Sequence, residues 1–220
     1  MGQGLIARAN STEPLPEGMK DSICVAVIDL GTHLNTHFNK SERKVVLTFE
    51  VPEHRIKLEK DGQELDLPRV TSNTYTLSLG ERANLRKDLQ SWRGKKFDKK
   101  ELDGFDLKDI LGKPCQLQIV HEDKGDKTYA NINNILPPSE KGRQLKAESD
   151  LHFFSFFEGG NLPEGLPNWI VEKIAESAEW KAMQRVAAHD QPQVGADADE
   201  MPPLSDNDAP AEEDSDPLPF

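Results

Sequence analysis

The sequence predicts a mainly β protein, built on a five-stranded, partly open barrel of the OB type with one helix between the third and fourth strands. Three observations support this class: five short segments have the alternating pattern of strands, the apolar period becomes helical after the third of them, and turn residues separate them. A barrel of this type protects the edges of short strands. A small α+β sheet is the alternative arrangement of the same elements.

The first three segments are predicted to be strands. Residues 22–34 are apolar at both sets of alternating positions, which is typical of a strand with two apolar faces. Residues 44–51 place apolar side chains on one face, and Pro52 either ends this strand or marks an edge. Residues 70–79 form the third strand, and the charged residues 53–67 before it contain a turn.

Helical spacing appears in the middle of the chain. Leu85, Leu89 and Trp92 recur at the period of one helix face within residues 81–92. Gly94 follows and ends the predicted helix. Trp92 is therefore expected in the core, beneath a face that carries basic residues.

Strands return after a second short helical turn at residues 99–110. Residues 116–121 and 127–135 form the fourth and fifth strands, which an acidic turn joins as a hairpin. The predicted divisions of the chain are a flexible leader at 1–19, the barrel at 20–137, a linker with a Phe-rich island at 138–165, an amphipathic helix at 166–189 and a disordered acidic tail at 190–220.

The Phe-rich island consists of four phenylalanines within residues 153–157. So many apolar rings are costly to leave in water. We expect the island either to dock on the barrel or to pair with another chain.

Charge is distributed unevenly along the chain. The formal net charge is −12, from 39 acidic residues against 27 Lys and Arg residues, but ten of the acids lie in 190–220, where no Lys or Arg occurs. Residues 82–100, in contrast, hold eight bases and two acids. Because phosphates respond to a local patch, this acidic protein remains compatible with a nucleic-acid partner.

Motifs of the common enzyme and metal-site classes are missing from the sequence. It contains no Gly-rich loop ending in Gly-Lys-Ser/Thr, no His-Glu-x-x-His, no Cys-x-x-Cys and no Gly-x-Ser-x-Gly. Cys24 and Cys115 lie in apolar strand-like segments, so we expect reduced, buried and unreactive thiols. We therefore predict a protein that is not an enzyme and that uses neither a metal nor another cofactor.

A basic segment interleaved with aromatic residues is the main candidate binding site. Single-strand binding without sequence preference needs cations along the phosphates and flat rings on which bases stack. On a barrel of this type, the nucleic acid usually crosses the second and third strands and the loops joining strands 1–2 and 4–5. The predicted DNA contacts are Lys40, Arg43, Lys44, Arg69, Tyr75, Arg82, Arg86, Lys87, Arg93, Lys95, Lys96, Lys127 and Tyr129.

Some aromatic residues near these positions allow two interpretations. Tyr75 and Tyr129 belong either to the core or to a stacking surface for bases. Phe38 and Lys124, in the two loops, are further candidates for contact with the nucleic acid.

The last residues of the sequence combine carboxylates with a terminal aromatic ring. A terminal Phe supplies an apolar anchor and a carboxylate together, which suits an apolar pocket rimmed by Arg or Lys. The predicted partner-binding residues are Asp214, Asp216, Pro217, Leu218, Pro219 and Phe220.

This ending resembles the acidic tip of bacterial single-stranded DNA-binding proteins, in which a run of Asp precedes a short Pro-Phe terminus. The matching positions are Asp214, Asp216, Pro219 and Phe220, whereas Leu218 stands where that family usually has another residue. The resemblance implies that the tip recruits replication, recombination and repair proteins and competes with DNA for the basic face. The body of the chain does not follow that family, so none of its DNA contacts is carried over.

Residues 72–137 separately resemble a group of phage-encoded OB-fold proteins that are described as single-strand binders. The segments that carry this resemblance are 75–79, 84–89, 91–94, 104–107, 111–115 and 129–132. It implies a phage protein that acts in the cytoplasm of the host. The sequence agrees with that location, because it has neither an 18-residue apolar stretch nor a secretory signal.

The predicted function is binding of single-stranded DNA, without strong sequence preference, during phage replication, recombination or repair. The tip recruits partner proteins, and a homo-oligomer is compatible with the sequence. One alternative is a protein adaptor that does not bind DNA. Another is a Mg²⁺-dependent nuclease using Asp103, Asp106 and Asp109, although these residues also fit a polar helix face.

Overall fold

Five antiparallel strands form a curled half-barrel in the computed structural model, which describes residues 13–60, 63–159 and 161–189. The strands are β1 (Gly18–Asn35), β2 (Lys40–Lys60), β3 (Gln63–Thr76), β4 (Pro114–Lys124) and β5 (Lys127–Leu136). They pair in the order β3-β2-β1-β4-β5, with β3 and β5 at the edges. The mainly β class and the five strands predicted from the sequence are confirmed.

The remaining elements lie between β3 and β4 and after β5. They are the helices α1 (Asn84–Arg93), α2 (Lys99–Asp103), α3 (Asn168–Glu176) and α4 (Ala178–His189), the 3-10 turns Leu107–Ile110 and Gly142–Gln144, and the short strand β6 (His152–Phe154). The predicted helical segments 81–92 and 99–110 thus correspond to α1, α2 and one 3-10 turn.

Burial of β1 on both faces divides the apolar residues into two cores. Every residue from 22 to 31 is buried. The inner core fills the half-barrel and includes Val27, Phe49 and Leu117. The outer core covers the other face of β1 and includes Ile28 and residues from after the barrel.

Helix α1 packs its predicted apolar stripe into the inner core. Leu85, Leu89 and Trp92 are all buried. The Trp92 ring meets Phe49 edge-on at 5.7 Å, and its Nε1 donates a hydrogen bond of 2.8 Å to the carbonyl of Pro114. Gly94 ends the helix in the left-handed conformation, at φ 66°, which glycine adopts without a steric penalty.

The β2–β3 hairpin extends further than the sequence predicts. Both strands continue through the charged segment 53–67, where Lys57 and Glu64 form an ion pair of 2.8 Å across the hairpin. An irregularity in register between Val51 and Arg55 accommodates Pro52 within β2. Cross-strand charge pairs of this kind support a strand that lacks the usual apolar alternation.

The Phe-rich island docks on the half-barrel, which is one of the two predicted outcomes. Strand β6 pairs in parallel with β1, opposite Ala26 to Ile28. Phe154 is 5% exposed within the outer core, and the Phe156 ring packs against it at 5.1 Å. Phe157 is 79% exposed and lies beneath the guanidinium of Arg43, at 3.9 Å.

The predicted C-terminal helix is divided into α3 and α4 at Ser177. The Ser177 hydroxyl accepts a hydrogen bond of 3.2 Å from the amide of Trp180, which caps the start of α4. Ile170 and Ile174 of α3 are buried in the outer core, against β1. Both short helices contact β1. Among the described residues, no helix is both long and apolar enough to cross a membrane.

Replacing Phe154 tests the docking of the island. Phe154→Ala should lower the free energy of unfolding by about 3–5 kcal/mol, because it removes a buried ring and leaves a cavity. Phe157→Ala, in the same island, should lower it by about 1 kcal/mol or less, since only the contact with Arg43 is lost. Urea denaturation followed by circular dichroism measures both values, and equal losses would contradict the docking.

Candidate functional site

An open groove of about 1540 Å³ lies beside the edge of β3. Its walls come from the β1–β2 loop, the start of α1, part of β5, and the helices α3 and α4. The half-barrel and the C-terminal helices therefore build the groove together.

Lys and Arg side chains outnumber carboxylates in this groove by six to three. The bases are Lys44, Arg82, Lys87, Lys173, Lys181 and Arg185, and the carboxylates are Glu42, Asp88 and Glu176. Two of the bases are paired: Lys44 with Glu42 at 2.6 Å and Lys173 with Glu176 at 2.8 Å. In the part of the chain that the structure describes, no carboxylate lies within 4.0 Å of the other four.

Accessible aromatic rings share the groove with these cations. Phe38, in the β1–β2 loop, is 70% exposed, and Trp169, in α3, is 42% exposed. The amides of Asn73 and Asn133 add neutral donors and acceptors to the lining. The groove thus offers positive charge and flat apolar surfaces to one ligand.

Three of the predicted DNA-binding residues are accessible at the groove. Two of them line it, and the third lies beside its opening. Arg82 and Lys87 are exposed within it. Lys40 lines a smaller recess that shares Arg82 and Glu42 with the groove. Lys44 also lies on the wall, but its ammonium is held by Glu42 and by the hydroxyl of Thr76, at 2.8 Å.

Other predicted residues serve contacts within the fold. The Arg43 guanidinium binds the buried carboxylate of Asp29 and lies 3.8 Å from Glu179. Arg93 pairs with Glu101 and lies over the ring of Phe97, at 4.5 Å. Neither guanidinium is therefore free to meet a phosphate.

Glu101 also accepts a hydrogen bond from Lys95, at 3.1 Å. The pKa of Glu101 falls to about 2, first because the Asp98 amide donates to its carboxylate and then because Lys95 and Arg93 do so. The single carboxylate of Glu101 thus offsets part of the positive charge of Arg93 and Lys95, whereas Lys96 is exposed beside them.

The last predicted positions lie away from the groove. Arg69 donates to the carbonyl of Glu13, and half-buried Arg86 donates to that of Leu79 at 3.2 Å. The remaining two, Lys127 and Tyr129, are exposed on the β4–β5 hairpin. Tyr129 is thus a surface residue, which is one of its two predicted interpretations. The predicted tip, 214–220, lies outside the described residues.

Tyr75 lies in the inner core at the wall of the groove, which is the other of the two predicted interpretations. It is 3% exposed, and its hydroxyl donates a 2.8 Å hydrogen bond to Asp88 of α1 while accepting one of 2.9 Å from Asn73. Burial raises the pKa of Tyr75, and the Asp88 carboxylate raises it further. Burial also raises the pKa of Asp88, against the opposing effect of the Tyr75 hydrogen bond.

Sequence reasoning missed the contribution of the C-terminal helices. Lys173, Lys181 and Arg185 are spaced by eight and four residues, which is a helix-face period and could have been noticed. Trp169 precedes Lys173 by four residues and also lines the groove. No local pattern, however, indicates that this face meets the half-barrel.

One aspartate of the nuclease alternative, Asp106, serves local structure. Asp106 accepts a 2.8 Å hydrogen bond from the amide of Lys108 and so caps a 3-10 turn. Across residues 13–60, 63–159 and 161–189, no group of three or more His, Cys, Asp or Glu side chains is arranged to hold a metal ion.

Comparison with known proteins identifies no relative: no protein-family model matches the chain, and no curated protein matches it in sequence. The interpretation of the groove therefore depends on its own chemistry.

The pKa of Asp88 leads to a testable pH dependence. Because its folded-state pKa is raised, the folded protein binds this proton more tightly, and stability is lost as pH rises through that pKa. Asp88→Asn retains an acceptor for Tyr75 but does not ionise. Its free energy of unfolding should exceed that of the wild type at about pH 7 and match it at about pH 3. Urea denaturation at both pH values measures this, and a less stable variant at neutral pH would contradict the expectation.

Proposed function

We propose that the protein binds single-stranded DNA in this groove without strong sequence preference. The observation that carries the proposal is the convergence of two accessible aromatic rings, Phe38 and Trp169, with four basic side chains that have no carboxylate partner among the described residues. These side chains are Arg82, Lys87, Lys181 and Arg185, of which Lys181 donates a 2.8 Å hydrogen bond to the carbonyl of Glu176. Cations that follow a phosphate backbone, combined with stacking surfaces, are the two requirements of single-strand binding.

Unpaired DNA suits this groove better than a duplex does. The nucleotide bases of a duplex already stack on one another, whereas those of a single strand have faces free for Phe38 and Trp169. Each base stacked on an aromatic side chain contributes about 1–3 kcal/mol and does so with little regard to sequence. The Lys and Arg side chains of the groove would add an attraction for phosphates that weakens as salt is added.

We further propose that the half-barrel is an OB-fold. Three features support this assignment: the central position of β1 between β2 and β4, the edge positions of β3 and β5, and a helix between β3 and β4 that packs on both edge strands. In this fold a ligand commonly meets the loop between strands 1 and 2, which here carries Phe38.

The proposed biological setting follows from the resemblances in the sequence. A phage-encoded protein of this kind would cover DNA during replication, recombination or repair. Its residues 214–220 would recruit other replication or recombination proteins, since they combine carboxylates with an aromatic terminus.

Two matched double substitutions test the groove. Arg82→Glu with Lys87→Glu should weaken binding of labelled oligo(dT) at least about tenfold, because two phosphate contacts become repulsive. Lys99→Glu with Lys100→Glu changes the net charge equally, but these exposed residues lie outside the groove. The affinity of this second variant for oligo(dT) should stay within about twofold of that of the wild type. Fluorescence anisotropy at two salt concentrations measures all three proteins.

The outcomes of this experiment separate three interpretations. Equal losses in the two double variants would show that general charge, and not the groove, attracts DNA. Absence of binding by the wild type at any salt concentration would reject the proposal and favour the protein adaptor. Addition of oligo(dT) should quench tryptophan emission. If this quenching persists in Trp92→Phe but is lost in Trp169→Phe, the stacking takes place in the groove.

Deletion of residues 190–220 tests the competition between the tail and DNA. Ten acidic residues on a tether have a high effective concentration near the cations. The shortened protein should therefore bind oligo(dT) more tightly at low salt, and the difference should shrink as salt screens the charges. A full-length control with Asn and Gln in place of these acids should behave like the deletion. Equal affinity of wild type and deletion at low salt would reject the competition.

A further inference from the structure

Helix α4 is attached to the half-barrel through Glu179. One oxygen of its carboxylate accepts a 2.7 Å hydrogen bond from the amide of Thr32, and the other accepts a 2.6 Å hydrogen bond from the Thr32 hydroxyl. The Arg43 guanidinium lies 3.8 Å from the same carboxylate. Glu179 thus makes contact with both β1 and β2.

Gly31 permits the close approach that these hydrogen bonds require. A Cβ atom at this position would lie 2.5 Å from the Cβ of Ser177 and 2.8 Å from Glu179 Oε2, and the backbone φ is +77°. A side chain here would therefore push the start of α4 away from β1. Glycine at this position lets the helix sit directly on the strand.

The attached helix also carries two of the four basic groove residues that have no carboxylate partner among the described residues, Lys181 and Arg185, and the Lys181 ammonium donates a 2.8 Å hydrogen bond to the carbonyl of Glu176. Lys181 and Arg185 follow Glu179 by two and six residues, so they lie within about 9 Å of it along the helix axis. Glu179 itself does not line the groove. Its position on α4 allows it to control where both bases point without touching the ligand.

We propose that Glu179 is a positioning residue for single-strand binding, which holds α4 so that Lys181 and Arg185 face the DNA. This inference rests on the proposed function of the groove. A positioning role means that removing the Glu179 carboxylate weakens DNA binding, whereas charge repulsion alone means that removing it strengthens binding. The direction of the change in affinity therefore separates positioning from charge.

The test compares two Glu→Ala substitutions in the full-length protein. Glu179→Ala should weaken oligo(dT) binding about tenfold. The slope of the logarithm of the association constant against the logarithm of the salt concentration should become less steep by about 1.4, since two phosphate contacts are lost. Glu176→Ala removes the same charge, but it frees Lys173 from its 2.8 Å ion pair inside the groove. That variant should bind more tightly than the wild type. Fluorescence anisotropy over a salt series gives both quantities.

A double-mutant cycle distinguishes positioning from a general loss of structure. Lys181→Ala with Arg185→Ala should weaken binding strongly in the wild type and much less in the Glu179→Ala background, because the two bases are already misplaced there. Full additivity would overturn the proposal. So would a Glu179→Ala protein that binds as tightly as the wild type or more tightly.

A milder variant keeps the test valid if Glu179→Ala does not fold. Thr32→Val replaces the hydroxyl that donates to Glu179 with a methyl group at the groove wall and leaves the backbone amide in place. It should weaken binding in the same direction by a smaller factor, whereas unchanged or tighter binding would overturn the proposal. Failure of the wild type to bind oligo(dT) would reject the proposed function itself and so is a separate result.

Discussion

Strand β1 is buried on both faces, and this burial determines how the other elements pack. Residues 22–31 are buried throughout, so this strand needs one apolar layer inside the half-barrel and another outside it. The other strands and α1 supply the inner layer, whereas β6, α3 and their neighbours supply the outer one. A fully buried apolar side chain contributes about 1.5–3 kcal/mol. Covering the outer face therefore gives the C-terminal segment a defined place beside the barrel.

Electrostatic contacts then orient this outer layer. The buried carboxylate of Asp29 accepts hydrogen bonds from Arg43 and from the backbone amides of Gly31 and Phe156. Arg43 continues the connection to Glu179 on α4. A buried carboxylate with so many partners is satisfied, whereas removal of Arg43 would leave it uncompensated. Apolar packing thus brings the C-terminal helices to the barrel, and these directional contacts turn their basic face toward the groove.

Predictions from the sequence failed where charged residues acquire partners. The segment 53–67 has no apolar alternation, so its sequence predicts no strand pairing, and ion pairs such as Lys57–Glu64 form only once the register is set. The sequence of 82–100 predicts a single basic surface. The structure divides it: Arg82 faces the groove, whereas Arg93 is held by Glu101. A count of charges along the chain does not show which of them are already paired.

The five strands, the helix α1 and the two apolar faces of β1 can be predicted from the sequence, because alternation and helical spacing are local properties of the chain. The sequence also indicated that the Phe-rich island would dock on the barrel or pair with another chain. The position of α3 and α4 on the groove, and the burial of the Tyr75 ring at its wall, follow from the three-dimensional packing. The reason is that contacts such as Thr32–Glu179 join residues 147 positions apart, and no local pattern records which distant surface a residue will meet.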